Sequence, residues 1–174
     1  NKYPFNEVVS FVMSNYKNDD HSKIKILDLG CGGGHHLVFL AKEGFDYYGI
    51  DGSKEGVKIA KQRLEENKFS SNNVKLGTFN NLCYPYEMFD CVIDRGALVC
   101  NRKTELPNIL DEIYKILKPS GRFFSAFLHE DSTEKCTGTH IGNNDYINFN
   151  GRLKGAGVLH FINKDEIDEL FKNY

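Results

Sequence analysis

The fold of this chain is decided by the segment Ile24-Lys25-Ile26-Leu27-Asp28-Leu29-Gly30-Cys31-Gly32-Gly33-Gly34-His35. An apolar, β-branched run ends in an aspartate, a glycine-dense turn follows, and an amphipathic helical pattern comes next. A strand that enters a helix through such a turn leaves backbone N–H groups unpaired and lets a ligand approach closely. The segment therefore predicts a nucleotide-sized binding site in an α/β domain.

The composition is that of an ordinary globular protein. The chain has 174 residues, 40% of them hydrophobic and 26% charged, and a formal net charge of −2. That charge argues against a nucleic-acid partner. The five cysteines include no C-x-x-C pair, so we expect neither a disulfide scaffold nor a metal site. Free cysteines also favour a reducing location in the cytoplasm. No apolar run approaches the roughly 18 residues of a membrane span, so no membrane partner is expected.

Strands and helices are predicted to alternate along most of the chain. The apolar patterns predict strands over residues 24–29, 46–50, 74–76, 89–94 and 122–128. Helical spacing indicates a first helix that begins near Pro4, helices at 34–43 and after Ser53, and one that stops at the turn 118–121. This alternation predicts a parallel sheet with right-handed crossovers.

Residues 129–157 interrupt the alternation. They are polar and glycine-rich without clear periodicity, and a stretch of this length is typical of a functional lid or a mobile segment. We therefore divide a single domain, 1–174, into four parts. Residues 1–22 form an N-terminal helix and loop, 23–128 a nucleotide-binding core, 129–162 a lid or acceptor segment, and 163–174 a terminal helix.

The spacing of the glycines selects the ligand class. Dinucleotide sites follow G-x-G-x-x-G, which would require glycine at position 35, where His35 stands. The pattern G-x-G-x-G, with Asp28 two residues before it, resembles the first motif of class I S-adenosylmethionine-dependent methyltransferases. Further family-like motifs follow in order: Asp51 after the second strand, the segment 77–94 that ends in F-D-x-V-x-D, the turn 117–121, and the segment 160–166.

The resemblance implies a Rossmann-like three-layer α/β/α sandwich that uses S-adenosyl-L-methionine and releases S-adenosyl-L-homocysteine. Asp28 would orient the amino group of the donor, and Asp51 would accept hydrogen bonds from both ribose hydroxyls. Ser53 is alternatively the N-cap of the following helix. The cofactor-binding residues that the resemblance implies are Asp28, Gly30, Cys31, Gly32, Gly34, Asp51, Gly52, Ser53, Thr78, Phe79, Asn80 and Asp94.

Two departures from the family pattern stand out. The family often has an acid after the third strand, for the adenine amino group. Here Gly77 is followed by Thr78-Phe79-Asn80, so a hydroxyl, an amide or backbone atoms would replace the acid. The family fold also continues through an antiparallel hairpin after its last helix, and we expect this chain to lack that hairpin.

Residues that would act on the acceptor are less well defined. Asp94 and Arg95, which end the fourth strand, would shape the acceptor site, or else they form a pair that holds the loop. His129 is a further catalytic candidate. With His140 and His160 it would supply a base or a metal site beside Asp131 or Asp145, although packing roles are expected. Four aromatic residues would line an acceptor pocket or simply pack: Tyr84, Tyr86, Tyr146 and Phe149.

The leading hypothesis is S-adenosylmethionine-dependent methyl transfer to a small molecule by a monomer or homodimer. The segment 129–157 is not basic enough to indicate a nucleic-acid track. The alternatives are a protein or RNA methyltransferase, a transferase that uses a related sulfonium donor, and a non-catalytic nucleotide-binding module. A nicotinamide dehydrogenase is disfavoured by His35.

Overall fold

A five-stranded parallel sheet forms the centre of the protein, in a computed structural model that describes residues 3–172. The strand order is β3-β2-β1-β4-β5, and each neighbouring pair is parallel. The predicted sheet is therefore confirmed. Its strands are β1 (Lys25–Leu29), β2 (Asp46–Asp51), β3 (Val74–Leu76), β4 (Phe89–Arg95) and β5 (Leu117–Ala126).

Helices cover both faces of this sheet. The helices are α1 (Asn6–Tyr16), α2 (His35–Lys42), α3 (Lys54–Glu66), α4 (Leu106–Ile116) and α5 (Lys164–Leu170). Side chains alternate along a strand, so Ile26 of β1 packs with α1 and α2 on one face, and Leu27 packs with α4 on the other. The result is the predicted three-layer sandwich. None of these helices, within residues 3–172, is long and apolar enough to cross a bilayer.

The fifth strand differs from its predicted bounds. Pairing with β4 already begins at Leu117, opposite Phe89, so the predicted turn 118–121 lies inside the strand. The register shifts between Phe89 and Cys91, and Ser120 adopts a left-handed φ of 64°. A bulge of this kind absorbs extra residues without ending a strand. Phe171 covers part of β5, with its ring 6.0 Å from that of Phe123.

Residues 128–162 form a second sheet, which we call the accessory sheet. Its strands are β6 (Leu128–His129), β7 (Thr139–Gly142), β8 (Asp145–Ile147) and β9 (Leu159–Ile162), in the order β6-β9-β8-β7. The β7–β8 hairpin turns through Asn143 and Asn144, whose φ values are 53° and 58°. Two left-handed residues in a two-residue loop are typical of a hairpin turn, so much of the aperiodic segment 129–157 is ordered.

A buried cluster of charged side chains joins the accessory sheet to α5. His160 is fully buried, with Nδ1 2.8 Å from Asp145 Oδ1 and Nε2 2.9 Å from Glu166 Oε1. Lys103 Nζ lies 3.4 Å from the other Glu166 oxygen, and the Lys103 N–H donates to Asp145. Each nitrogen of the imidazole thus lies within hydrogen-bond distance of one buried carboxylate. This cluster holds the loop after β4, the accessory sheet and α5 together.

We expect the variant His160→Leu to lose about 3–5 kcal/mol of unfolding free energy, because two buried carboxylates lose their shared partner. Urea denaturation monitored by circular dichroism measures this loss. The matched control is His129→Leu at the end of β6, where the side chain is 58% exposed. The control should change the unfolding free energy by less than about 0.5 kcal/mol. Equal losses in both variants would contradict a structural role for the cluster.

Candidate functional site

The glycine turn between β1 and α2 is hydrogen-bonded to the end of β2. The N–H groups of Gly30 and Cys31 both donate to the carbonyl of Ile50, at 2.8 and 3.1 Å. The Gly34 N–H donates to the Cys31 carbonyl at 2.9 Å, which closes the turn just before α2. The turn thus lies at the carboxyl edge of the parallel sheet, where open α/β sheets bind ligands.

The glycines of this turn serve different purposes. Gly30 has a φ of +71°, and a Cβ added there would lie 2.1 Å from Ala97 Cβ, so the loop after β4 occupies the space. Gly32 has a φ of +48°, and an added Cβ would meet no heavy atom within 4 Å. Gly34 packs against Ala60, which an added Cβ would meet at 2.9 Å. Of the three glycines predicted to admit the donor, Gly32 is therefore the one that faces open space.

Asp51 connects the end of β2 to the glycine turn. Its Oδ2 accepts a hydrogen bond from the Gly32 N–H at 2.7 Å, and its Oδ1 accepts one from the Ser53 N–H at 2.8 Å. An ionised carboxylate has about four acceptor positions, so capacity for further donors remains. Ser53 caps α3 by accepting from the Gly56 N–H at 3.1 Å, as the N-cap alternative predicted.

Asp28 lies buried beside the turn, with one oxygen unpaired. Its Oδ1 is 3.3 Å from Nδ1 of His36, whereas Oδ2 is buried without a hydrogen-bond partner. A buried carboxylate oxygen without a donor is costly, so a bound group that donates a hydrogen bond to Oδ2 would be stabilised there. Together, Asp28, Gly32 and Asp51 fit a ligand that carries an amino group and vicinal hydroxyls.

Asp94 anchors the loop that packs on Gly30. Its Oδ1 accepts from the N–H groups of Ala97 and Leu98 at 2.7 and 3.1 Å, and its Oδ2 accepts from the Ser125 hydroxyl at 2.6 Å. Burial raises the pKa of Asp94 to about 6, although these hydrogen bonds oppose the shift. The geometry gives Asp94 a positioning role, and contact with the donor or acceptor stays a prediction.

Arg95 points towards α1, and the predicted alternative of an Asp94–Arg95 pair is wrong. Its Nε donates to Glu7 Oε1 at 2.7 Å, and its guanidinium lies 4.1 Å from the Phe5 ring centre. The two side chains part because Asp94 satisfies backbone N–H groups while Arg95 reaches the start of α1. Arg95 thereby fastens α1 to the carboxyl end of β4.

The other residues that the sequence predicts to contact the methyl donor lie around the turn, but they do not form one continuous surface. Burial raises the pKa of the Cys31 thiol, and the charges of Asp28 and Asp51 raise it further, which disfavours the nucleophilic thiolate form. Phe79 is partly buried and packs towards Gly30. Gly52, Thr78 and Asn80 are exposed near the ends of β2 and β3, and their contacts with the donor stay predictions.

The structure separates the three candidate histidines. His129 pairs weakly with Asp131 at 3.4 Å, His140 packs on Tyr146, and His160 belongs to the buried cluster. In residues 3–172, no group of three or more metal-ligating side chains is placed to hold an ion. Of the aromatic candidates, Phe149 and Tyr84 are buried, Tyr146 is partly buried, and Tyr86 is 76% exposed.

Two functional features escaped the sequence analysis. His36 had no specific role assigned from the sequence, yet it is the buried partner of Asp28. Ala97 was not singled out, yet it fills the space above Gly30. His36 is the second residue of α2, directly after the turn. Because side chains at that position face the end of β1, this position was the signal that could have predicted the contact with Asp28.

The variant Asp94→Asn should be more stable than the wild type at neutral pH. The folded pKa of about 6 lies above the usual value of 3.8, so the wild type loses stability as pH rises from about 3.8 to about 6, and the loss stays constant above that range. An asparagine retains the acceptor for Ala97 and Leu98 and donates to Ser125. We expect a gain of about 2–3 kcal/mol at pH 7.5 and of less than about 1 kcal/mol at pH 4.

Urea denaturation of both proteins at the two pH values measures this difference. Asp131→Asn is the matched control, since that side chain is 86% exposed and should show no pH-dependent gain. A wild type that is more stable than Asp94→Asn at pH 7.5 would contradict the inferred cost of the buried charge.

Comparisons with known proteins agree with this arrangement. Residues 20–173 match a family described as a methyltransferase domain. The chain is 28% identical over 166 residues to a ubiquinone biosynthesis O-methyltransferase of Bartonella tribocorum, over 87% of this chain and 64% of that protein. It is 32% identical over 108 residues to an uncharacterized methyltransferase of Synechocystis, over 62% of this chain and 49% of that protein.

The chain therefore spans about half to two thirds of the length of these relatives. A solved structure of a SAM-dependent methyltransferase from Methanosarcina mazei has a TM-score of 0.78 and 18% identity, and the match covers 98% of this chain and 84% of that one. At this level of identity the likeness concerns the fold.

Proposed function

Since this chain belongs to the class I S-adenosylmethionine-dependent methyltransferases, we propose that it transfers the donor's methyl group to a small molecule. The observation that carries the proposal is the unpaired, buried Oδ2 of Asp28 beside the open backbone at Gly32. An ammonium group supplies the donor that this oxygen lacks. The ribose of the same ligand would bring two hydroxyls to Asp51.

Bound S-adenosylmethionine supplies a methyl group on a positively charged sulfur. When the methyl group is transferred, this sulfur becomes the neutral thioether of the leaving group. The protein then has to orient donor and acceptor and exclude water, and it needs no strong catalytic group. Asp28 and Asp51 would fix the two ends of the donor. Asp94 would hold the loop after β4 in place, and Arg95 would hold α1 over the same edge of the sheet.

Three observations support a small acceptor. The segment 129–162 contains four acidic and three basic residues, so it lacks the positive charge of a nucleic-acid track. One of the relatives is named as an O-methyltransferase of ubiquinone biosynthesis, a small-molecule reaction. A cavity of about 740 Å³ beside β8, lined by Ile147, Phe149 and Val158 together with Arg102 and Lys154, has the size of a small-molecule site.

We also place the protein in the cytoplasm. All five cysteines are free, and Cys83, Cys100 and Cys136 are exposed. Exposed thiols persist most readily in a reducing compartment.

The proposal is tested with methyl-labelled S-adenosylmethionine and a cell extract separated into small-molecule, protein and nucleic-acid fractions. We expect label to enter the small-molecule fraction. Asp51→Ala should weaken donor binding by about 1–3 kcal/mol in calorimetry, because two hydrogen bonds to the ribose are lost. The control is Asp46→Ala at the opposite end of β2, which should bind the donor as the wild type does.

Each outcome separates one alternative. Label in the protein or nucleic-acid fraction would overturn the small-molecule acceptor. Donor binding without transfer to any fraction would favour a non-catalytic module. A protein that binds NAD and ignores both S-adenosylmethionine and S-adenosylhomocysteine would overturn the donor itself.

A further inference from the structure

Two buried polar atoms on contacting side chains have no hydrogen-bond partner in residues 3–172: Asp28 Oδ2 and His36 Nε2. The side chains are 2% and 9% exposed, and they touch through Asp28 Oδ1 and His36 Nδ1 at 3.3 Å. An unpaired buried polar atom is rare in folded proteins, and two on adjoining groups are harder to attribute to chance. The proposed contact with the donor's ammonium group satisfies Asp28 Oδ2, which leaves His36 Nε2 without an assigned partner.

The charges around His36 favour its doubly protonated form. Asp28 of β1 and Glu7 of α1 are the acids that face it, and Arg95 of β4 and His35 of its own helix oppose them. Burial alone would lower the pKa of His36, but the charge and hydrogen bond of Asp28 raise it above the usual value. With Nδ1 turned to Asp28, Nε2 then presents an unused N–H donor.

The two unpaired atoms are therefore complementary in charge and in hydrogen-bonding role. Asp28 Oδ2 is an acceptor with negative charge, and the Nε2–H of a protonated His36 is a donor with positive charge. An α-amino acid group carries the matching pair, an ammonium and a carboxylate on one carbon. Arg95 is the other cation near His36, and it is already engaged by Glu7 and by the Phe5 ring.

This inference rests on the proposed function and deepens it. We infer that His36 is a second recognition residue for the amino-acid portion of the donor: its Nε2–H donates to the α-carboxylate while Asp28 Oδ2 accepts from the α-ammonium. The contact through Nδ1 also orients the Asp28 carboxylate, so the two side chains act as one unit. Ligands that contain adenosine but no amino-acid group would gain nothing from His36.

Calorimetric titration with three ligands isolates this contact. S-adenosylhomocysteine carries both charged groups, its descarboxy analogue keeps the amine alone, and 5′-methylthioadenosine has neither. His36→Asn keeps an amide near the Nδ1 position and removes Nε2. It should weaken S-adenosylhomocysteine binding about 10- to 100-fold, as expected for a charged hydrogen bond, and leave the other two ligands unchanged.

Two further variants serve as references. His36→Gln places an amide N–H near the Nε2 position, so it should recover part of the affinity for S-adenosylhomocysteine. Asp51→Asn should weaken all three ligands, because each of them has the ribose. Urea denaturation shows whether His36→Asn is folded before it is titrated.

The wild type offers a test that needs no variant. The ratio of its affinities for S-adenosylhomocysteine and the descarboxy analogue should fall as pH rises and His36 loses its second proton. If the wild type binds S-adenosylhomocysteine but His36→Asn binds it equally well, or the ratio is independent of pH, the inference is wrong and the proposed function stands. If the wild type binds none of the three ligands, both are overturned.

Discussion

The hydrogen bond from the Gly32 N–H to the Asp51 carboxylate is the contact on which the site depends. It joins the glycine turn after β1 to the end of β2, and the second oxygen of Asp51 fixes the start of α3 through Ser53. A parallel sheet leaves the carboxyl ends of its strands unpaired, so a side chain must organise the loops there. Asp51 does so while it keeps acceptor positions for a ligand.

The loop after β4 depends on the same turn. Ala97 fits against Gly30 only because that residue has no Cβ, and Asp94 holds Ala97 in place through a backbone N–H. Further along the loop, Val99 packs with Phe149 and Phe161 of the accessory sheet. A shift in the glycine turn would therefore reach the accessory sheet through a continuous series of packed residues.

The sequence was sufficient to predict the central sheet, because apolar strands and amphipathic helices have strong periodicity. The glycine turn was also predicted, since it depends on local backbone geometry, whereas the ribose contact of Asp51 stays a prediction. The β7–β8 hairpin was missed because its strands are short and polar, and its Asn143-Asn144 turn was the remaining signal. The start of β5 was misplaced because a bulge hides a turn within the strand.

Tertiary contacts account for the rest. The pairing of Asp28 with His36 crosses from a strand to a helix, and the cluster around His160 unites residues more than 50 positions apart, from Lys103 to Glu166. No periodic pattern reports such contacts. Arg95 illustrates the point, since its neighbour Asp94 suggested a pair and its partner is Glu7, in another part of the chain.

We propose that Asp28, Gly32 and Asp51 together bind S-adenosylmethionine at the carboxyl edge of the sheet. A crystal structure of the protein with S-adenosylhomocysteine tests it most directly. We expect ribose hydroxyls within hydrogen-bond distance of Asp51 and the α-ammonium within hydrogen-bond distance of Asp28 Oδ2. A ligand bound elsewhere, with Asp51 and Asp28 making only the contacts described above, would contradict it.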